Sequence, residues 1–587
     1  MIEQILPVKI GFNNKNKMLT DNALQILKAR YLHRDANGEV SESPDQLFKR
    51  VAKYIASAEE VNRNIWETRF YELMASLQFL PNSPTLMNAG LPNGQLSACF
   101  VLPIEDSLDE IFTTLKNAAL IHQSGGGTGF DFSKLRPKDD QVSSSGGKSS
   151  GPIAFMKLYD AATEYVKQGG KRRGANMGIF HVDHPDILEF IIAKTNGNTL
   201  QNFNISVGIT RDFMHALEKQ EDWKLINPRT GKVQKIVKAA YIWNSIVKEA
   251  WKTGDPGLVF LDSINKNNPI SKQGYLQCTN PCGEVPLLDF ESCNLGSLNL
   301  TRVLIKEGAK TKIDWPKLET NIQIAMRFLD NVITVNHYLL PQIKKISTTN
   351  RKVGLGVMGW AELLLSLGIP YASEEAVNLG EQLMEFIKTK SHESSRDLAQ
   401  ERSVFPSWKE SSYAPHKPMR NATCNSIAPT GTISVIADTS YSIEPLYALA
   451  YRRVGVLQDK TQTEINSVFL EKMKRLGLWN EKVKAEVLQS GSIQHMPSIP
   501  KEIKKLFETS LEIPWEYHLL HQRAFQKYTD NAVSKTINLP EKTTVKEISE
   551  IYKKAWEYGL KGITIYRNKS RTRQVLQKCN FNNTAEC

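Results

Sequence analysis

The sequence predicts a large α/β domain, a barrel-sized core with helical additions, and three observations carry that expectation. A chain of 587 residues is too long for one small core but suits one dominant domain with appendages. Hydrophobic residues at 41% and charged residues at 23% match ordinary folded proteins and exclude a disordered chain or a fibrous repeat. From about Asn82, short apolar runs broken by Gly, Ser, Asn and Pro, such as NSPTLMNAG and SGGGTGFDF, alternate with helical windows, the texture of alternating β and α units.

Taken in chain order, residues 1–80 read as a helical region. Ser43 is a plausible N-cap with Pro44 at the first helical position, and Leu47, Val51, Tyr54, Ile55 and Ala58 recur at helical spacing. Residues 81–568 form the predicted α/β domain. Within it Phe203, Ile205, Val207 and Ile209 alternate with Asn204, Ser206 and Gly208 as a strand, and TISVIAD (Thr432 to Asp438) and GITIY (Gly562 to Tyr566) read as short β-branched strands. No fixed-period repeat is visible. Residues 569–587 turn basic and polar, ending CNFNNTAEC, and are expected to be a mobile tail.

The N-terminus, MIEQILPVKIGFNNKNK, has neither the apolar core nor the cleavage site of a signal peptide, and no run of 18 apolar residues occurs, so a cytoplasmic protein without membrane contact is expected. Seven Cys do not make a secreted disulfide framework, and in a reducing compartment any pair that oxidises should be catalytic. The net charge of +12 suits either nucleic acid or a site for polyanionic small molecules. The basic clusters GGKRRGAN and KGITIYRNKSRTRQ lack the aromatic interleaving of a single-strand binding surface, which argues against a nucleic-acid partner.

Two phosphate-binding motifs fail on inspection. GGKS within VSSSGGKSS would need a Gly at position 142 to complete a P-loop, and that residue is Val142. GLGVMG satisfies G-x-G-x-x-G through Gly354, Gly356 and Gly359, with Glu374 or Glu375 near the distance of a ribose-binding acid. The preceding STTNRKV is polar where a dinucleotide fold needs a buried strand, so glycines that let the following helix GWAELLLSLG pack closely are the better account.

The stretch NPCGEVPLLDFESC, Asn280 to Cys293, is richer. On an extended strand Asn280, Cys282 and Glu284 would project to one face, gathering an amide, a thiol and a carboxylate. Taken singly, a Cys is usually a small buried hydrophobe. Cys278, Cys282 and Cys293 could also ligate zinc, but no second Cys pair or nearby His completes such a site, and no metal is expected.

NPCGEVPLLDFESCNLGSLNL, together with NSPTLMNAG, LSACFVLPIEDSLD, GGGTGFDFSKLRP, GGKRRGAN, APTGTISVIADTSYSIEP and KGITIYRNKS, resembles the catalytic subunit of ribonucleotide reductase, most closely the adenosylcobalamin-dependent class, from about Leu19 to Leu576. The resemblance implies a ten-stranded α/β barrel of two parallel five-stranded halves with a catalytic finger loop threaded through its centre. It implies reduction of ribonucleotides, with diphosphates the expected substrates, to deoxyribonucleotides for DNA synthesis. Cys282 would carry a thiyl radical that takes the 3′ hydrogen of the ribose, Glu284 would accept the 3′ hydroxyl proton, and Asn280 would orient the substrate. Cys99 and Cys293 would supply reducing equivalents and end the turnover as a disulfide, in accord with the two-electron capacity of a thiol pair. Pro429, Thr430, Gly431, Thr432 and Ile433 would bind the substrate diphosphate, with Ser83, Thr85, Ala98 and Gly127 as further substrate-lining residues.

The same resemblance implies a deoxynucleotide or ATP effector at a homodimer interface, contacted by Asp106 and by Arg136 through phosphate. The loop Gln168 to Asn176, with Gln168, Lys171, Arg172 and Arg173, would pass the signal to the substrate base. A thioredoxin-like reductant would reach the site through Cys579 and Cys587, although family tails carry more closely spaced Cys. PTGTISVIADTSYSIEP follows the cobalamin class, and the C-terminal part shows no adjacent Tyr pair such as the oxygen-dependent class needs for radical transfer. The family core already begins near Leu19, so an N-terminal ATP cone is not expected. Cobalamin contacts leave no local sequence signature. The competing readings are the oxygen-dependent α subunit and a non-enzymatic basic nucleic-acid-binding protein.

Overall fold

The computed structural model describes residues 19–142, 146–168, 172–308, 310–453 and 462–570. Three helices, α1 (Asp21–Arg30), α2 (Pro44–Ala56) and α3 (Arg63–Ala75), precede the sheet. The predicted start of α2 is present: the Ser43 hydroxyl accepts from the Gln46 N–H while the Gln46 side chain accepts from the Ser43 N–H, a reciprocal cap. Its apolar stripe, Leu47, Val51 and Ile55, is fully buried, while Ala58 lies beyond the helix end. A buried ionic cluster helps fix this region to the rest: Glu59 pairs with Arg327 of helix Trp315–Val335 at 2.6 Å and with Arg402.

The sheet comprises β1 (Phe79–Pro81), β2 (Cys99–Val101), β3 (Gly127–Asp131), β4 (Asn176–His181), β5 (Phe203–Ile209), β6 (Gly257–Phe260), β7 (Ser292–Asn299), β8 (Val353–Met358), β9 (Thr536–Leu539) and β10 (Gly562–Arg567). Strands β2 to β6 pair in parallel, each with the next. β7 with β8, and β9 with β10, are parallel as well. Isolated parallel bridges Leu355↔Asn425 and Ile427↔Val533 link those two pairs into a second parallel half. The halves meet along two antiparallel seams, β7 with β2 and β10 with β6, which closes the expected barrel; β1 is an additional antiparallel neighbour of β7. The long helices alternate with these strands because a parallel connection needs a crossover.

Two local expectations are corrected. TISVIAD is not a strand: Ile433–Ile436 is one short helical turn behind Thr432, and Ile433, Val435 and Ile436 bury their β-branched side chains against the core in that form. Tertiary packing has overridden β propensity there. The segment Asn280 to Glu284 is not extended either. It is the turn of a hairpin whose arms, Cys278–Thr279 and Pro286–Leu287, pair antiparallel, with Gly283 at φ +80°.

The other two strands, Phe203–Ile209 and Gly562–Arg567, are present. Gly354 and Gly356 lie inside β8, where a Cβ on Gly356 would sit 2.3 Å from the Ser426 carbonyl oxygen. Only Gly359, at φ +84°, serves the entry to helix Trp360–Leu367. The glycines thus form the strand rather than follow it, which is incompatible with a dinucleotide loop.

Candidate active site

The finger hairpin runs inside the barrel because the wall gives way to it. Gly127 and Gly129 of β3 face the hairpin: a Cβ on Gly127 would lie 2.8 Å from the Pro281 ring, and one on Gly129 only 1.9 Å from the Thr279 carbonyl oxygen. This accounts for two of the four glycines in GGGTGFDF. The hairpin is held from several sides. Asn280 Oδ1 accepts from the Val285 N–H at 3.0 Å, Asn204 donates to the Pro281 carbonyl at 2.7 Å, and the Glu284 carbonyl accepts from both the Ala532 N–H and the Ser426 hydroxyl at 2.8 Å.

The tip opens on a cavity of about 280 Å³ that brings together most of the residues expected at the site. Asn280, Cys282 and Glu284 line it despite the corrected backbone, because a tight turn converges them as an alternating strand would. Ser83, Ala98, Cys99 and Gly127 line it from the walls, and Pro429 to Ile433 close one end. Cys282 is exposed to this space, whereas Asn280 and Glu284 are each 2% exposed. Thr85 does not line the cavity. It is fully buried in helix α4 (Ser83–Asn88), bonded through its hydroxyl to Leu96 O at 3.0 Å.

Cys99 and Cys293 face each other in register across the β2/β7 seam, the cross-strand arrangement whose Cβ separation approaches what a disulfide needs. Among the described residues no disulfide is present. The Asn280 side-chain N–H₂ donates to Cys99 Sγ at 3.1 Å, linking the finger to this pair. Cys293 lies behind Cys99, outside the cavity wall, and burial pushes its thiol pKa upward. Cys278, at the hairpin base, is likewise buried with its pKa raised.

A second cavity of about 440 Å³ shares Pro281, Cys282 and Pro429 with the first and extends along β5, β6, β9 and β10. Cys282 therefore sits where two chambers meet. The second chamber contains Tyr447, Tyr566, Gln522 and the pair Lys535–Glu444 at 2.7 Å; Tyr566 and Glu444 fall in motifs quoted above but are not singled out by them, and Tyr447, Gln522 and Lys535 lie outside those motifs. Arg30 and Tyr31, which help enclose the first cavity, lie outside every quoted motif, while Asn82 opens NSPTLMNAG without being singled out by it; the Tyr31 hydroxyl is 2.7 Å from that of Ser83.

The residues expected at an effector site fall well apart from the hairpin in sequence. Asp106 and Arg136 are partners of one another, Arg136 Nε lying 2.8 Å from Asp106 Oδ2, both partly exposed. Gln168 and Arg172 are opposite each other in a two-stranded pairing of Lys167–Gln168 with Arg172–Arg173. Lys171, Cys579 and Cys587 lie outside the described residues. Among the described residues, one group with metal-ligand spacing occurs, His392, Cys424 and Asp530, with ligand atoms within 4.8 Å of one another. Its carboxylate is already engaged by His392 Nε2 at 2.8 Å and the Cys424 N–H at 2.9 Å, with Lys388 3.7 Å away, so it reads as a buried ion pair.

Comparison with known proteins decides the family. Residues 97–566 match the family model for the ribonucleotide reductase barrel domain, and residues 17–94 the model for the ribonucleotide reductase all-alpha domain. This chain belongs to the ribonucleotide reductase family. A vitamin B12-dependent ribonucleoside-diphosphate reductase of Thermoplasma acidophilum is 47% identical, over 95% of this chain and 80% of that protein. A protein of the same description from Mycobacterium tuberculosis is also 47% identical, over 94% and 80%. A ribonucleoside-diphosphate reductase subunit alpha of Chlamydia pneumoniae is 30% identical over 95% of this chain and 60% of its own length. Among solved structures, the Actinobacillus ureae class Id ribonucleotide reductase alpha subunit matches with a TM-score of 0.78 at 25% identity, over 94% of this chain and 98% of that one.

Proposed function

We propose that the chain is an adenosylcobalamin-dependent reductase that converts ribonucleoside diphosphates to 2′-deoxyribonucleotides. The observation that carries this reading is the position of Cys282 between two cavities, one able to take the nucleotide and the other the reacting part of the radical-generating group. The relatives named vitamin B12-dependent ribonucleoside-diphosphate reductase are 47% identical to this chain, against 30% for the relative named subunit alpha and 28% for Streptomyces proteins named vitamin B12-dependent ribonucleotide reductase, and the 47% matches favour the cobalamin reading over the oxygen-dependent one. The second chamber, at about 440 Å³, is too small to enclose the whole group, but it is open to Cys282 and lined by Tyr447 and Tyr566, so it would admit the reacting part of it. Tyr447, Tyr566, Gln522 and the Lys535–Glu444 pair would hold it. When bound, adenosylcobalamin supplies the one-electron oxidation of the Cys282 thiol.

In this mechanism the thiyl sulfur of Cys282 removes the 3′ hydrogen atom of the ribose. Glu284, fixed through its backbone carbonyl, accepts the 3′ hydroxyl proton, and Asn280 orients the substrate beside Cys99. The 2′ hydroxyl leaves as water, and Cys99 with Cys293 delivers two electrons and two protons, becoming a disulfide. Cys282 then returns a hydrogen atom to C3′. Pro429 to Ile433 contact the diphosphate, and Ser83, Ala98 and Gly127 shape the pocket around the rest of the nucleotide; Thr85, buried behind that wall, supports it from within α4.

We further read Asp106, Arg136, Gln168, Lys171, Arg172 and Arg173 as the site and relay for a deoxynucleotide or ATP effector, working in a homodimer. Support for self-association comes from Leu108, Phe112 and Leu120 on α5 (Leu108–Gln123) and Leu158 and Tyr165 on α6 (Pro152–Tyr165), all exposed. A thioredoxin-like dithiol, relayed by Cys579 and Cys587, would regenerate the thiols in the cytoplasm. No described helix is long and apolar enough to cross a membrane. The test is anaerobic reduction of a nucleoside diphosphate by the purified protein with adenosylcobalamin and dithiothreitol. Deoxynucleotide formed without any second protein supports the reading; a strict requirement for a second, metal-bearing protein replaces it with the oxygen-dependent one.

A further inference from the structure

Strand β7 is flanked by β2 on one side and β8 on the other. Cys293 is opposite Cys99 on β2, and because Asn294 pairs with Val353, Lys352 stands level with Cys293 on the far side. Residues level with one another on neighbouring strands share a face. Cys293 Sγ is 3.6 Å from the Lys352 carbonyl oxygen. The Lys352 ammonium is 2.7 Å from Glu291 Oε2, two residues before Cys293, and the side chains are 2% and 0% exposed. Glu291 is itself fixed by the Leu288 N–H at 2.9 Å and the Asn350 amide at 2.8 Å.

A fully buried ion pair is weak evidence for stability, since desolvation offsets much of its attraction. Its placement beside one member of a thiol pair therefore calls for a chemical explanation. We propose that the Lys352–Glu291 pair is a positioning element for thiol–disulfide exchange, its cation stabilising Cys293 as the leaving thiolate when a dithiol reductant reopens the Cys99–Cys293 disulfide. This rests on the reading of Cys99 and Cys293 as the redox pair. Burial raises the Cys293 thiol pKa, and among the charges around it Lys352 opposes the rise while Glu291 and Glu284 add to it.

The step balances as follows. One thiolate of the reductant attacks Cys99 Sγ, forming a mixed disulfide and breaking the Cys99–Cys293 bond, whose electron pair passes to Cys293 Sγ. That thiolate, held in the field of Lys352, takes a proton released by the reductant. The second reductant sulfur then attacks its partner in the mixed disulfide and releases Cys99, which is protonated in turn. One dithiol is oxidised to a disulfide and one protein disulfide reduced, with two electrons and two protons transferred.

The test follows reduction of the Cys99–Cys293 disulfide by dithiothreitol in the full-length protein, using rapid alkylation and peptide mass spectrometry. Lys352→Met raises the leaving-group pKa and should slow this step by about tenfold. Glu291→Gln keeps a hydrogen-bond acceptor for Lys352 but removes the opposing charge, and should accelerate it. Lys352→Arg should restore most of the parent rate. A purely structural role would slow all three variants in proportion to their loss of thermal stability, and that pattern, or parent rates throughout, overturns the proposal. Should Lys352→Met fail to fold, the sign of the change in Glu291→Gln decides. Failure to find any Cys99–Cys293 disulfide after a turnover without reductant would instead overturn the redox-pair reading and this inference with it.

Discussion

Gly129→Ala is the most direct probe of how the barrel positions its chemistry. The added Cβ would fall 1.9 Å from the Thr279 carbonyl oxygen and 3.0 Å from its carbon, inside any tolerable contact, and the obstructing atoms are backbone. The hairpin arm must retreat by at least about 1 Å, and Thr279 is bonded directly to Asn280. A displacement of that size at reacting groups costs on the order of a hundredfold in rate, whereas overpacking of this kind costs roughly 1–3 kcal/mol of stability. Anaerobic turnover followed by chromatography of the deoxynucleotide should therefore fall about a hundredfold while thermal unfolding shows a folded, moderately weakened protein. Gly127→Ala meets a Pro281 ring atom at 2.8 Å, which can yield more easily, so its loss should be smaller. Parent-level turnover in Gly129→Ala would refute the claim that the finger is held against the β3 backbone.

Other outcomes are expected from the same geometry. Cys282→Ser should abolish reduction and leave nucleotide binding by calorimetry nearly intact; appreciable product would remove Cys282 from the radical role. After one turnover without reductant, peptide mapping should find Cys99 linked to Cys293, and a Cys278–Cys282 link would sink the assignment. Arg136→Ala removes a charge-assisted phosphate contact worth roughly 1.5 to 3 kcal/mol, so effector affinity should fall about tenfold or more, and an unchanged effector-dependent substrate preference would count against that site. Burial lowers the Lys561 pKa from 10.5 to about 8, with Nζ bonded to the Asp530 and Asn531 carbonyls. Between those values the unfolded chain holds the proton that the native state has lost, so the parent's stability should rise with pH across that window relative to Lys561→Met, by up to about 1.4 kcal/mol per pH unit. Urea unfolding of both proteins at pH 8, 9 and 10 checks the sign; a pH-independent difference would refute it.

Much of the site was legible because its residues carry unusual chemistry at close spacing. Asn280, Cys282 and Glu284 stand out in any reading, and strands such as Phe203 to Ile209 declare themselves by composition. The path by which the three converge was not legible: alternation suggested an extended strand, and the chain instead makes a turn at Gly283. Period-two spacing and a tight turn produce the same clustering in so short a segment, so local pattern could not separate them. TISVIAD misled for the converse reason, since β-branched residues buried by a helical turn look the same in sequence as those of a strand. The second chamber was not legible as a chamber, although Asn204 to Ser206 and Gly562 to Tyr566 lie in segments that read as strands, because its walls come from segments some 360 residues apart, from Asn204 to Tyr566, and consist of ordinary side chains and backbone.

On the function proposed above, the two antiparallel seams would let one barrel house two incompatible redox partners. Parallel strands place residues of successive βα units side by side, but the β2/β7 seam joins the halves and sets Cys99 opposite a cysteine almost two hundred residues later. The other seam, β6 with β10, contributes residues such as Gly257, Leu258, Gly562 and Ile563 to the second chamber. The hairpin tip lies between them, so Cys282 faces both chambers while Cys293 borders neither. On that proposal, a radical generator approaching by the β6/β10 side would meet Cys282 before the Cys99–Cys293 pair. The proposed chemistry would require shielding of that kind, because a thiol pair that gave up hydrogen atoms directly to the generator would consume both without touching the nucleotide.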